Sequence, residues 1–544
     1  MKNFKKLLAV ILAAIMVLSS LSVVVFASDA NLDSSADTSY RIKAGFYSFV
    51  DKVLDLILKA LNAMIPGLDW GSAWPTLEEY TSDGFMSGDA TFSETVGVEA
   101  SWYMGYSKAS LLTGLDVMDG TYYLGGALEP FTGRAPEAVI DDQQVVAYAL
   151  SDGETLVVHA VIDCFGISRG DVIAIRNNLA DWVEENNVTS IQISSVHQHS
   201  CIDTLGLAAP LVPALLRNPL MSIFADRDSF VLGTNKNFMA NVYKYTESVI
   251  KNAVARMDIG EIYVGDINIG DYIKDKREPI NKNDMMTRIR FVPACESANE
   301  IWIVNVDMHD VTFGAAASVL SADYPYYVRE ALAERGVDCV YVIGAELAIT
   351  PQGANIPGFE TCENDTERAK CIADALVAKL GEIENDERLD PILNIASKEV
   401  QVKATNGVLK LAVRQGLINV VVAKDGTDLV LITEIGYMEL GNKLGVFLAP
   451  GENDPQMVWG EKTGELLSAE QSWNGTTWTK TPIAETADVE KLIVFGLAND
   501  QIGYIVLESD VHSILTENEE ILCPSYKAAE IIVSAFENLI ADVK

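Results

Sequence analysis

Apolar residues recur along this chain with two periods. Stretches of period two, rich in β-branched residues, predict strands, and stretches of period near 3.6 predict helices. Residues 190–196, Ser190-Ile191-Gln192-Ile193-Ser194-Ser195-Val196, are the clearest alternating run. Strands are expected over 147–164, turning at Asp152-Gly153, and over 301–308 and 340–343. Helices are expected over 169–185, 235–257 and 325–335. This interleaving predicts an α/β fold with a mixed sheet and flanking helices. Past about residue 395 the texture changes to short strands, expected at 400–403, 409–413, 419–422 and 429–432, with a turn at Lys424-Asp425-Gly426. The C-terminal half therefore reads as β-rich, ending in a helix with an apolar stripe over 525–543.

The two N-terminal segments follow different rules. Lys2, Lys5 and Lys6 precede the apolar run 7–18, and Val25-Phe26-Ala27 offers small residues for cleavage. Residues 1–27 are read as a secretory signal peptide. The h-region is not followed by a lipid-accepting Cys, and no later stretch is long and apolar enough to span a bilayer. A secreted, extracellular protein is expected. Residues 28–95 form a lead-in: an amphipathic helix over 46–65, ended by Pro66-Gly67, then a Gly-, Ser-, Thr- and Trp-rich stretch. That helix either packs on the core or makes transient contact with a membrane surface. The main domain is expected over 96–544.

Charge narrows the partners. With 77 acidic against 40 basic residues the formal net charge is −37, and loss of the leader lysines takes it to about −40. Such a surface repels nucleic acid, which is excluded as a partner. It repels anionic lipid as well, but not a neutral one. The seven cysteines show no CxxC, so cysteine-based zinc ligation is not expected. Cys362 and Cys371 are close enough in sequence for a local bridge.

Histidine carries the chemical signal. Only five occur, and two stand in one tripeptide, His197-Gln198-His199, at the end of the 190–196 strand. Residues two apart on a strand share a face, so both imidazoles are expected to leave one sheet face, toward a metal or a substrate carbonyl. His309 follows the 301–308 strand. Two strand ends that carry histidine are a frequent start for a zinc site. Adjacent His309-Asp310 would face opposite ways on a strand, which disfavours a metal-free His–Asp relay.

Five segments, in order, resemble the neutral (alkaline, non-lysosomal) ceramidase family. They are Tyr122-Tyr123-Leu124-Gly125-Gly126 with Asp141-Asp142 and the 157–163 strand; Ser195-Val196-His197-Gln198-His199-Ser200; Asp307-Met308-His309-Asp310 with Ser321-Ala322-Asp323-Tyr324-Pro325; Pro450-Gly451-Glu452; and Gly496-Leu497-Ala498-Asn499-Asp500 with Gly503-Tyr504-Ile505. Each motif is short; their order and spacing carry the resemblance, over about 95–540.

The resemblance implies a neutral-ceramidase-like catalytic domain, without the C-terminal immunoglobulin-like domain of longer members. It implies one Zn²⁺ per chain held by His197, His309, Glu452 and Tyr504. His199 would then be free for proton transfer or for hydrogen bonding to an oxyanion. The implied reaction is hydrolysis of an N-acyl amide, as in ceramide, to fatty acid and amine, with no obligate protein partner. Thr350 in Gly344-Ala345-Glu346-Leu347-Ala348-Ile349-Thr350-Pro351 takes the place of the family's catalytic serine; its extra methyl restricts χ1. Ala348 replaces the family's acidic residue, and Glu346 is nearby but out of register. Cys201-Ile202-Asp203-Thr204 stands where the family has Gly-Pro. These departures leave a second reading, a catalytically silent extracellular lipid- or glycan-binding protein that keeps the fold.

Overall fold

The computed structural model describes residues 38–70, 74–126, 133–223, 233–314, 317–513 and 519–544. The signal peptide expected at 1–27 lies outside the described residues. The order of elements is that of an α/β protein with two principal sheets.

The first sheet contains β1 (Trp102–Ser110), β2 (Gln144–Ser151), β3 (Leu156–Ile162), β4 (Ser190–Ser195), β5 (Asp258–Asn268), β6 (Met285–Pro293), β7 (Glu300–Val306) and β8 (Val337–Ile343). Their spatial order is β8-β7-β6-β5-β1-β2-β3-β4. The two outer pairs, β7·β8 and β3·β4, are parallel; the inner pairs are antiparallel. A parallel pair needs a long crossover, normally a helix. Here the crossovers are made by α2 (Arg169–Asn178), between β3 and β4, and by α4 (Asp323–Ala333), between β7 and β8. Between them in sequence, α3 (Lys236–Ala255) packs on β1, β2 and β3, its first turn capped by Asn235. The lead-in helix is α1 (Thr38–Met64), and α5 (Asp365–Leu380) packs on α4. The second sheet runs β9 (Leu393–Lys403), β10 (Asp428–Leu440), β11 (Leu444–Leu448), β12 (Lys491–Phe495), and α6 (Ala528–Val543) covers it.

Both edges of the first sheet curl toward each other, so β8 touches β2, β3 and β4. A segment continuing from β12 closes the gap. Gly496 N donates to Ile343 O of β8 (2.9 Å), and Asn499 N donates to Ile193 O of β4 (2.7 Å). Ser194 bridges Ala498 between them. The C-terminal ends of β4, β7 and β8 therefore meet at one mouth.

A buried ion cluster locks this closure. Glu434 of β10 accepts from Arg176 Nη1 (2.9 Å) and from Asn499 Nδ2 (3.0 Å), and pairs with Arg169. All four side chains are shielded from solvent. Burial opposes charge on Glu434, but Arg176 and Arg169 hold its carboxyl below the ordinary 4.5. Its contribution to stability is thus complete above that ordinary value and is lost as pH falls through the depressed one.

Two strand expectations are corrected. Residues 409–413 lie in a helix, Gly407–Arg414, because Asn406 Oδ1 caps it by accepting from Val408 N (2.9 Å) and Leu409 N (3.2 Å). Leu409 and Val413, four apart, both face the core there. The strand expected at 419–422 begins only at Val422. The single helix expected at 169–185 breaks at Leu179 into two. Cys362 and Cys371 stand side by side as thiols, Sγ atoms 3.0 Å apart.

Glu434→Gln leaves the buried Arg176 without its anion and Arg169 with Glu399 alone. We expect it to cost about 3–5 kcal/mol, read from urea unfolding at neutral pH.

Candidate metal centre

β4 ends at Ser195, and the backbone turns immediately. His197 adopts φ +70°, and the His197 and Gln198 amides both donate to Cys164 O (3.0 and 3.1 Å). The two imidazoles come together through this turn rather than by alternation along a strand, as the sequence pattern suggested. Their centroids lie 4.8 Å apart, with planes at 90°. Phe165 stacks on His197 at 4.5 Å and meets His199 edge-on at 4.9 Å. On the other side of the mouth, His309 follows β7, with its centroid 4.8 Å from that of His197. Glu452 joins from the turn after Gly451, whose φ of +70° suits glycine. Its short strand, Glu452–Asn453, pairs in parallel with Tyr504–Ile505 and sets Tyr504 opposite Glu452.

Hydrogen bonds fix how each ring presents its nitrogens. His197 Nδ1 lies 2.7 Å from Phe165 O, His309 Nδ1 3.1 Å from Ile349 O, and His199 Nδ1 3.3 Å from Gly126 O. A carbonyl only accepts, so Nδ1 carries the proton in each of these contacts; the Nε2 atoms of His197 and His199 have no hydrogen-bond partner, while that of His309 meets the Glu452 carboxylate. These three Nε2 atoms turn inward. His309 Nε2 is 3.2 Å and His197 Nε2 3.4 Å from Glu452 Oε2. Gln501 Nε2 donates to the other oxygen, Oε1, at 3.0 Å.

This donor set fits a divalent cation. Tetrahedral ligands at roughly 2.0–2.2 Å stand about 3.3–3.6 Å from one another, close to the two separations from Glu452. Anchoring Nδ1 on a carbonyl while Nε2 stays free is how metal-binding histidines are oriented. The buried Nε2 atoms of His197 and His199 have no hydrogen-bond partner, nor do the oxygens of Glu346. Buried polar atoms are almost always satisfied, so their clustering marks a binding site. Two overlapping groups could hold a metal: His197, His199 and His309, and His197, His309, Glu346 and Glu452, the donors of each within 4.8 Å of one another.

Comparison with known proteins came out on one side only. No family model matches the chain, and no curated protein matches it by sequence. Solved structures do match. Neutral ceramidase from Pseudomonas aeruginosa superposes with a TM-score of 0.59 at 14% identity, over 82% of this chain and 75% of that one. A ceramidase complexed with C2 gives a TM-score of 0.57 at 13% identity, over 81% and 75%. The fold is ceramidase-like.

In this ceramidase-like fold, His197, His309 and Glu452 converge. Tyr504 stands beside Glu452; burial, then the Glu452 charge, pushes its phenol well above the ordinary 10.0. His199 adjoins the cluster and is half-buried. Thr350 is buried one residue beyond the carbonyl that orients His309, with no partner for its hydroxyl. The sequence reading set Glu346 aside and passed over Gln501 and Phe165. Gln501, next to the Asn499-Asp500 motif, was the most findable of the three. A cavity of about 700 Å³ lined by Trp74, Thr204, Tyr243 and Leu417 contains none of the donor residues.

Protons compete with a metal for Nε2. Burial first, and the neighbouring His197 too, holds His309 below the ordinary 6.5 despite the pull of Glu452. A lowered pKa keeps the lone pair available in more acid solution. Binding of Zn²⁺ by the isolated protein, titrated from pH 8 downward, should therefore stay level through about pH 6.5 and fall only below it.

Proposed function

We propose that the protein is a secreted, zinc-dependent amidohydrolase that cleaves the N-acyl amide of ceramide or a related N-acyl lipid. The observation that carries this reading is the convergence of the oriented His197 and His309 rings on the Glu452 carboxylate at the mouth of the curled sheet. The ceramidase-like fold supports the substrate class.

In this reading His197 and His309 hold the ion through Nε2 and Glu452 through Oε2, with Tyr504 beside them as a further donor. Bound zinc supplies a water of lowered pKa and polarises a carbonyl. The rest falls to the chain. Phe165 O and Ile349 O keep the two rings in the ligating tautomer. Gln501 holds the Glu452 carboxylate in place. His199 is neutral, because burial and the two other histidines hold it well below the ordinary 6.5. Its Nε2 lone pair takes the proton released as water oxygen adds to the amide carbon. That proton then passes to the nitrogen as the C–N bond breaks, so acid and amine leave with atoms balanced. Thr350 contributes a hydroxyl donor in the wall beside His309.

A lipid substrate has to leave its bilayer. On α1, Phe46, Phe49 and Leu56 are 62, 65 and 68% exposed, while Leu58 and Leu61 on the opposite side are buried. We place transient membrane-surface contact on that outward stripe. Among the described residues no helix is long and apolar enough to cross a membrane.

Purified protein should hydrolyse a fluorescent N-acyl sphingosine, lose activity on chelation and regain it with Zn²⁺. His197→Ala should abolish turnover. Gln501→Ala, which loosens Glu452 without removing a ligand, should lower metal affinity or kcat by about 10–100-fold. Absence of metal-dependent hydrolysis across a panel of N-acyl lipids would overturn the proposal; a zinc-free protein that still binds lipid would establish the non-catalytic alternative.

A further inference from the structure

Resting on the cation-binding reading above, a second carboxylate enters the picture. Glu346 comes from the short loop after β8, and that loop is pinned on two sides. Gly344 N donates to Val306 O (2.9 Å) and Ala345 N to Asp307 Oδ1 (2.8 Å), both on the segment that leads into His309. Leu347 N donates to Asn453 O (3.3 Å), next to Glu452. Glu346 is thus strung between the two segments that carry donors. The packing admits little variation: a Cβ on Gly344 would lie 1.5 Å from Asp307 Oδ1. Ala348 is held at φ +58°, a conformation a non-glycine residue keeps only when its surroundings impose it.

The side chain itself is fully buried, at 0% exposure, and neither carboxylate oxygen hydrogen-bonds another residue. The strongest charges around it are other carboxylates, Glu452 first, then Asp307 and Asp310. A buried acid in such company is stable only with a cation or a proton. His197 and His309 each offer a ring nitrogen to the same cluster, within 4.8 Å. Tyr504, in contrast, stands opposite Glu452 across the short parallel strand pair, and its hydroxyl is not among the buried polar atoms left without a partner, whereas both oxygens of Glu346 are.

We propose that Glu346 is a protein donor to the cation, completing a set of two imidazoles and two carboxylates with His197, His309 and Glu452. Two carboxylates balance the charge of a divalent ion, so the loaded centre is electrically neutral, which suits its burial. The ligand set implied by resemblance, with tyrosine as the fourth donor, is thereby replaced: Tyr504 stands opposite Glu452 and outside the set.

The test measures Zn²⁺ affinity of the full-length protein by competition with a chromogenic chelator, with circular dichroism as the check on folding. Glu346→Gln should weaken binding by at least about tenfold, whereas Tyr504→Phe should weaken it less than Glu346→Gln does. A Glu346→Gln loss smaller than tenfold, or a larger loss in Tyr504→Phe, overturns the assignment while leaving the cation site intact. Wild-type protein that binds no Zn²⁺ overturns both the assignment and the functional reading. Should Glu346→Gln fail to fold, a zinc-soaked crystal of the wild type decides: a Glu346 oxygen at roughly 2.0–2.2 Å from the metal supports the assignment, and one beyond about 3 Å refutes it.

Discussion

Closure of the first sheet by residues 496–499 is the constraint on which the rest of the molecule depends. β4 and β8 stand at opposite ends of the strand order, yet the residues that follow β4 and β7 have to face one another. Backbone hydrogen bonds to Ile343 on one side and Ile193 on the other hold the two edges against the same four residues. Asn305 adds a side-chain tie, donating to Val494 O (2.8 Å) and Val342 O (3.2 Å). The edges of a sheet are normally liabilities, open to pairing with other chains. Here the second sheet supplies the strand that satisfies them, and the same stitch assembles the donor cluster. Glu434, with its two arginines and Asn499, turns a backbone contact into one that is costly to open.

Placing so many titratable groups out of water has an electrostatic consequence. Imidazoles and carboxylates oppose each other's shifts: burial lowers His309 and His199 and raises the acids, while Glu452 pulls the two rings back toward the charged form. Glu452 ends well below its ordinary value, and His199, farther from it, well below its own. His199 and His309 are therefore held as neutral rings beside a carboxylate, the protonation state in which metal ligands bind.

The elements were legible wherever local pattern and tertiary role agreed. The 190–196 and 301–308 strands were legible from their β-branched residues, and each belongs to a parallel pair joined by a helix; β4 is buried along its whole length and β7 over its C-terminal part. The helix at Gly407–Arg414 was not legible: Val408, Leu411 and Val413 favour a strand by composition, and a single capping asparagine decides against them. His197, His309 and Glu452 were found through short motifs whose order mirrors a known family. Glu346 stood in a segment that matched the family but out of register with the family's acidic residue, and so gained no role from sequence. Its loop is placed by Asp307 and Asn453, 39 and 107 positions away, and alternation cannot report contacts at that range.

Burial within the site is uneven, and this gives it a direction. His197, Glu346 and Glu452 are no more than 1% exposed, whereas His199 and Tyr504 are half-buried. The donors thus form the floor, and the half-exposed pair forms the rim. Whatever approaches this floor from solvent meets His199 and Tyr504 before the buried groups, and His199 is the one imidazole grouped with the other two but not with Glu452. The same asymmetry separates the three histidines: two stand against Glu452 on the floor, and the third stands outside that pairing, at the rim.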